Sequence, residues 1–341
     1  MKTVKDNVLE IEDLRVYFYT EEGEVRAVDG VSFSIPRGAI VGLVGESGCG
    51  KSVTSYAVLR LIQQPGEIKG GSIRFYPQDG EPIEITALDE QDDALYHLRG
   101  GAISMIFQEP MTALSPVHTV GDQICEAIML HGDVGKEQAE VIAAEMLDKV
   151  GIPNPRSRLG QYPFEMSGGM RQRVVIAMAL ACEPEVLIAD EPTTALDVTI
   201  QAQIIRLIKT LQRDLGTSTL LITHDLGVVA QLVDHIAVMY LGRIVEQGDV
   251  RSVMKDPRHP YTMGLLESLP SLALGKERLS SIAGSVPSLV EKPPGCPFHP
   301  RCPHAEPGVC DIGDPPELRQ VGEGRLAACV RLEEIHGGNA E

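Results

Sequence analysis

The sequence predicts an α/β protein. A parallel β-sheet covered by helices is preceded by an antiparallel sheet, interrupted by a helical insertion and followed by an irregular, metal-binding extension. Three observations carry this. Short apolar runs, "AIVGLVG", "EVLIADEP" and "TLLITHD", alternate with helical patterns, as strands buried on both faces do. The first run opens into a glycine-rich turn, "GESGCGKS", followed by a helical pattern. Upstream, "VSFSI" alternates residue by residue and places Val31, Phe33 and Ile35 on one face of a half-buried strand.

Taken in order, residues 8–37 read as an antiparallel sheet that turns at Glu21–Glu24. "AIVGLVGESGCGKSVTSYAVLRLI" is then a strand, a loop and a helix. From about Asp89 to Cys182 the texture is helical, with one strand-like interruption, "AISMIFQ". The clearest helix there, "EQAEVIAAEMLDKVG", stops at Gly151, as glycine-capped helices do. The strands "EVLIADEP" and "TLLITHD" are joined by the helix "TIQAQIIRLIKTLQRDLG", the connection a parallel pair needs. "HIAVMYLGRIVEQGD" reads as a hairpin turning at Leu241–Gly242–Arg243, and beyond about Val250 the chain is proline-rich and irregular. The expected division is 1–250, with the helical insertion at about 89–182, and 251–341. No internal repeat is visible.

A formal net charge of −18 over 341 residues repels phosphate polymers, which argues against nucleic acid as the main partner. The N-terminal "MKTVKDNVLEIEDL" has no apolar core of a signal peptide, and no apolar run reaches bilayer length. A cytosolic setting is expected, where disulfides are rare and clustered cysteines read first as metal ligands.

"GESGCGKS" fits G-x-x-x-x-G-K-[ST] in the strand–loop–helix context that this phosphate-binding motif requires. Backbone N–H groups of Gly45, Glu46, Ser47, Gly48, Cys49 and Gly50 can curl around phosphates at a positive helix end. Lys51 can reach the β- and γ-phosphates, and the Ser52 hydroxyl can ligate Mg²⁺. Asp190 and Glu191 end a buried strand at the carboxyl edge of the sheet, where ligands bind. There Asp190 can hold Mg²⁺ and Glu191 can polarise a water as general base; an acidic helix cap is the plainer alternative. "LLITHD" delivers His224 to the same edge. In "EMSGGMRQR", Ser167, Gly168 and Gly169 open a second helix end suited to phosphate. One nucleotide site rarely needs two such ends from one subunit.

This ordered set resembles the nucleotide-binding subunit of ABC transporters, a P-loop NTPase family with a RecA-like core. The resemblance runs from the N-terminal sheet to about residue 250. It comprises Walker A (Gly45–Ser52), the Q-loop Gln108, the signature Ser167–Arg173, Walker B (Asp190, Glu191), the D-loop "TALD" (Thr194–Asp197) and the H-loop His224. It implies ATP and Mg²⁺ as ligands, with Ser52, Asp190 and Gln108 at the metal and Glu191, His224 and Gln108 in catalysis. By spacing from "AVDGVSF" the adenine-stacking aromatic is Phe18; Tyr17 and Tyr19 flank it, and a core aromatic is the competing reading. The family forms head-to-tail dimers, so Ser167–Gly169 would meet ATP held by the other subunit and Asp197 would link the two sites. Met166 and Met170 depart from the commonest signature, "LSGGQ". Kinases and small GTPases lack the signature, and no guanine-reading N-K-x-D is present. Soluble ABC proteins generally carry two cassettes or a long coiled-coil insertion, and a regulatory, redox-sensing ABC ATPase is the alternative function.

The tail narrows the branch. "HPYTMGLLESLP" and "GCPFHPRCPH" resemble the oligopeptide/dipeptide/nickel importers. Their partners would be a paralogous ATP-binding subunit (a homodimer being second choice), two membrane permease subunits and, indirectly, an extracytoplasmic solute-binding protein. The working place would be the cytoplasmic face of the membrane. Cys296, Cys302, Cys310 and Cys329 follow C-x₅-C-x₇-C-x₁₈-C. The C-x₂₋₄-C pairs usual for zinc are absent, although His299 or His304 could complete a Cys₃His site. The resemblance implies a [4Fe–4S] cluster on the four cysteines, with zinc and free thiols as alternatives. Cys49, Cys125 and Cys182 read as small buried residues.

Overall fold

Two sheets carry the chain. The structure, a computed structural model, describes residues 6–89, 91–108, 113–193, 197–268 and 282–337. β1 (Asn7–Thr20) and β2 (Gly23–Pro36) form a long hairpin, with Val31, Phe33 and Ile35 buried on one face as their alternation predicts. β3 (Ile40–Val44) belongs to the second sheet, whereas β4 (Gly66–Phe75) and β5 (Ile83–Glu84) complete the first, in the order β2-β1-β4-β5.

The larger sheet adds β6 (Ile103–Ile106), β7 (Val186–Asp190), β8 (Ser218–Thr223), β9 (His235–Tyr240), β10 (Arg243–Asp249), β11 (Arg319–Gly322) and β12 (Arg325–Ala327). Its order is β11-β12-β10-β9-β3-β8-β7-β6, and the pairs from β9 to β6 are parallel. Alternation assigns the two faces. Val41, Leu43, Val186, Ile188, Leu220 and Ile222 pack toward the antiparallel sheet. Ile40, Val44, Leu187, Ala189 and Leu221 pack toward the helices.

The helices are α1 (Lys51–Val58) and α2 (Asp93–Leu98), whose Ala57, Val58, Leu95 and Leu98 pack on the antiparallel-sheet side, and, toward the other face, α3 (Val120–His131), α4 (Lys136–Lys149), α5 (Pro155–Leu159), α6 (Gly168–Leu180), α7 (Val198–Leu215) and α8 (Leu226–Leu232). Four of them lie between Asp89 and Cys182 together with α6, and β6 is the strand-like interruption expected there. α4 stops where predicted, with Gly151 at φ +76°.

The region after Val250 departs from the irregular chain expected. It forms α9 (Val250–Lys255), α10 (Pro260–Glu267), α11 (Leu332–His336) and the two strands β11 and β12. Pro260 opens α10, where its missing N–H costs no hydrogen bond. The stretch 317–329 contains no proline, so β12 is free to pair with β10, Glu246 opposite Ala327. Tyr261 and Phe298 are buried against Tyr240, with ring centroids 4.6 and 5.3 Å from it. No alternating apolar pattern announces so short an edge pair; a buried Arg325–Glu246 ion pair at 2.7 Å pins it instead.

Candidate active site

β3 runs straight into the phosphate loop, and its glycines are required by space and backbone. A Cβ on Gly45 would lie 2.2 Å from the Met239 carbonyl oxygen. Gly50 has φ +107°, and a Cβ there would lie 2.2 Å from the Ala27 carbonyl oxygen. α1 starts at Gly50 with no side-chain cap, so its first N–H groups are open to an anion. The Lys51 ammonium is buried and donates to the carbonyl oxygens of Gly45 (2.9 Å) and Glu46 (3.1 Å).

Three strand ends converge beside this loop. Asp190, at the end of β7, is 0% exposed, and neither carboxylate oxygen has a hydrogen bond of good geometry. Burial pushes its pKa up to about 6, and the Glu191 charge adds to this, while the Ser52 hydroxyl and Lys51 oppose it. A buried carboxylate without a well-formed hydrogen bond, next to the first hydroxyl of α1, suits a cation, so Ser52 and Asp190 fit the Mg²⁺ expected for them. Glu191 follows with φ +45°, a left-handed backbone rare for glutamate, held by its N–H on the Ile222 carbonyl at 2.9 Å. The turn aims its carboxylate along the sheet edge. There Gln108 Nε2 donates to Oε2 at 3.4 Å, and His224 Nδ1 lies 3.3 Å from Oε1. Gln108, Glu191 and His224 thus come from the ends of β6, β7 and β8 to one place. The His224 side chain is 61% exposed, on the open side of the group.

The signature residues sit elsewhere. Ser167 caps α6, its hydroxyl accepting from the Met170 N–H at 3.4 Å, and Gly168 has open space where a Cβ would stand. The nearest side chain to Gly169 is Ile200 on α7, not the phosphate loop. Met166 is buried as the leucine it replaces would be, and Met170 packs against the same core. Asp197 caps α7, accepting from the Ile200 N–H at 2.9 Å; Thr194–Leu196 of the D-loop lie outside the described residues. Phe18 is half-buried and packs on Gly66, where a Cβ would stand 2.5 Å from its ring. Tyr17 donates to Asp29 at 2.9 Å, and Tyr19 is exposed beside Lys69.

Sequence reasoning missed three residues at this site. Gln172, buried in α6, donates to the Pro192 carbonyl at 2.6 Å and ties the signature helix to the chain just after Glu191. Tyr261 and Arg301 come from the tail: the Tyr261 hydroxyl accepts the Glu46 N–H at 2.9 Å, and Arg301 grips the Glu46 carboxylate at 2.6 and 3.0 Å. Both stand in the two tail stretches quoted above, but no periodicity links them to a loop 215 and 255 residues away.

The four tail cysteines line one small cavity with His259, His299 and His304. Burial, reinforced by the other three thiols, pushes Cys296 up to about 12. Cys296 and Cys302 accept from the N–H groups of Phe298 and His304. Cys310 and Cys329 accept from those of Glu306 and Arg331, each at 3.4 Å. Yet among the described residues no three His, Cys, Asp or Glu side chains close on a point that could hold a metal ion. The metal-binding extension expected from the sequence, with a [4Fe–4S] cluster or with zinc, is therefore not supported by these side chains, and His299 already has Nδ1 3.0 Å from the Cys296 carbonyl. Cys49 and Cys125 are buried as expected, and Cys182 is half-buried with its thiol 3.5 Å from the Ala127 carbonyl.

Comparisons with known proteins agree with this geometry. The family described as ABC transporter matches residues 28–194, and the oligopeptide/dipeptide transporter C-terminal region matches residues 245–310. A putative peptide import ATP-binding protein of Brucella abortus (strain 2308) is 50% identical over 335 residues, covering 96% of this chain and 98% of its own. The oligopeptide transport ATP-binding protein OppD of Escherichia coli (strain K12) is 48% identical over 331 residues, covering 97% and 95%. Among solved structures, the dimeric ATP-binding cassette MJ0796 bound to ADP and Pi superposes with a TM-score of 0.61 at 26% identity, over 71% of this chain and 99% of that one. The chain therefore belongs to the ABC transporter ATP-binding proteins, in the branch defined by the oligopeptide/dipeptide transporter C-terminal region.

Proposed function

We propose that this chain binds and hydrolyses ATP to drive import of peptides through a membrane permease, with its chemistry at Glu191. The observation that carries the reading is the convergence of Gln108, Glu191 and His224 beside a phosphate loop and a buried Asp190. ATP would lie with its phosphates on the N–H groups from Gly45 to Ser52 and its adenine against Phe18. Glu191 takes a proton from water as the water oxygen attacks the γ-phosphorus; the bond to the ADP oxygen breaks and phosphate leaves. His224 and Gln108 orient Glu191 and that water. Mg²⁺ held by Ser52, Asp190 and Gln108 would neutralise charge on the phosphates. Glu191→Gln is expected to keep ATP binding and lose about 10²–10⁴-fold of the turnover of the assembled transporter. Near-normal turnover in that variant overturns the assignment.

We assign the ABC ATPase domain to 1–250, with the insertion at about 89–182, and the C-terminal extension to 251–341. Ser167–Gly169 complete the site of a partner, a paralogous ATP-binding subunit, and Asp197 stands between the two sites. Dimer closure then moves the permease, since closed and open forms differ in ATP affinity. Among the described residues no helix is long and apolar enough to cross a membrane. Contact with the permease falls to exposed apolar side chains near Gln108: Phe107 and Leu130 line one groove there, and Tyr96, Val117 and Met129 are also exposed.

For the tail, a [4Fe–4S] cluster on Cys296, Cys302, Cys310 and Cys329 is the reading we favour. The four thiols share one cavity and each accepts a backbone N–H, as cluster sulfurs do. Bound there, the cluster would staple a loop-rich segment. Anaerobically purified protein is expected to be brown; a colourless protein with one zinc per chain reverses this reading.

A further inference from the structure

Among the described residues, the hydrogen bonds from the tail to the phosphate loop all fall on Glu46 and occupy two of its three polar groups. Its N–H donates to the Tyr261 hydroxyl, and its carboxylate is gripped by both terminal nitrogens of Arg301. The third group, its carbonyl, accepts from Lys51 and from the Cys49 N–H at 3.3 Å. Glu46 is therefore the point where the tail, the loop and the phosphate-reaching lysine meet. Arg301 is built for this place. Its side chain is 4% exposed, its Nε donates to the Ala283 carbonyl at 3.1 Å, and its guanidinium lies 5.9 Å from the Tyr240 ring centroid. A guanidinium so held presents its fork to one carboxylate geometry only.

We infer that Arg301 and Tyr261 are positioning residues of the nucleotide site. They act through Glu46, fixing the loop's path and neutralising an acid that would otherwise face the phosphates. A carboxylate within the phosphate loop opposes a bound polyanion unless a cation is paired with it. Arg301 supplies that cation from outside the loop, leaving Lys51 for the nucleotide. The Tyr261 hydroxyl, deep among aromatic rings, holds the Glu46 N–H and with it the start of the loop.

This rests on the ATP-binding reading above, and one set of binding curves separates the two. Full-length wild type and Lys51→Ala are titrated with a fluorescent ATP analogue and Mg²⁺. Binding by the wild type that fails in Lys51→Ala upholds the nucleotide site itself; no binding by the wild type overturns that reading and this inference with it. Against that baseline, Arg301→Gln is expected to weaken ATP binding by about 10-fold in protein whose near-ultraviolet circular dichroism matches that of wild type. Adding Glu46→Gln to it is expected to recover most of the loss, because the uncompensated acid is gone; a merely structural arginine would show no such recovery. Arg301→Lys, which keeps the charge but not the fork, should fall between. Arg301→Gln binding within about twofold of wild type, or a loss that Glu46→Gln does not relieve, overturns the inference. If Arg301→Gln does not fold, Tyr261→Phe decides: removing one oxygen should weaken ATP binding several-fold, and unchanged binding overturns the proposal.

Discussion

Glu191 occupies a backbone conformation that costs a non-glycine residue stability, and it does so one residue after a strand buried along its whole length. The turn is what separates its carboxylate from that of Asp190, so that two adjacent acids serve two different neighbours. Asp190 faces Ser52 in the interior, whereas Glu191 faces Gln108 and His224. His224, largely exposed, should be dispensable for folding. His224→Ala is expected to leave the melting temperature unchanged and to cut turnover about 10²-fold at an unchanged ATP affinity, checked by calorimetry alongside a steady-state assay. Lys51→Ala should instead act on binding, weakening ATP by about 10- to 100-fold, since it removes charge-assisted contacts to phosphate. Most of these residues were legible because their motifs pair a residue type with a strand or helix end. Arg301 and Tyr261 were not, since each depends on a contact between segments far apart in sequence. Phe18 was ambiguous for a different reason: three neighbouring aromatics share one strand, and only packing tells them apart.

At the level of the element, the phosphate loop separates backbone demand from steric demand. Gly48 and Gly50 both have positive φ, at +78° and +107°, but a Cβ has open space at Gly48 and meets the Ala27 carbonyl at Gly50. Gly48→Ala should therefore lose about 1–2 kcal/mol, the cost of a left-handed alanine. Gly50→Ala should lose clearly more, because β2 must also move. Urea titration of the two variants measures the difference, and equal losses would mean that the loop relaxes freely. The signature helix makes a similar point. Its first turn could be read from Ser167 and two glycines, yet its link to the catalytic strand, Gln172 to the Pro192 carbonyl, looks in sequence like any polar residue on a helix. Gln172→Ala leaves that buried carbonyl unpaired and should cost about 1–3 kcal/mol in the same titration.

Over the whole molecule, the strands and helices of the first 250 residues were legible because apolar period and turn chemistry agree there. The tail was not. Its secondary structure is short, its prolines sit at helix starts and in loops, and much of its hold on the rest comes from single aromatic and charged contacts. Those contacts are extensive: Tyr261, Leu266, Cys296 and Phe298 share one continuous core with β3, β7, β8 and the helices. Lys292 adds an ion pair to Asp29 at 3.2 Å on the antiparallel sheet. A chain ending at residue 250 is thus expected to be insoluble or molten although it contains every ATP motif. Soluble expression with sharp near-ultraviolet circular dichroism would refute this.

The pairing of β12 with β10 also sets an order of events during synthesis. Glu246 and Gln247 meet Ala327 and Leu326, which are made long after them. Until those residues leave the ribosome, the outer edge of β10 has no partner from its own chain, and the Glu46 carboxylate waits for Arg301 in the same interval. An unpaired edge of this kind is a template for another chain. Newly made protein therefore passes through a window in which all its nucleotide motifs exist and its sheet is still open, until β12 emerges and closes it.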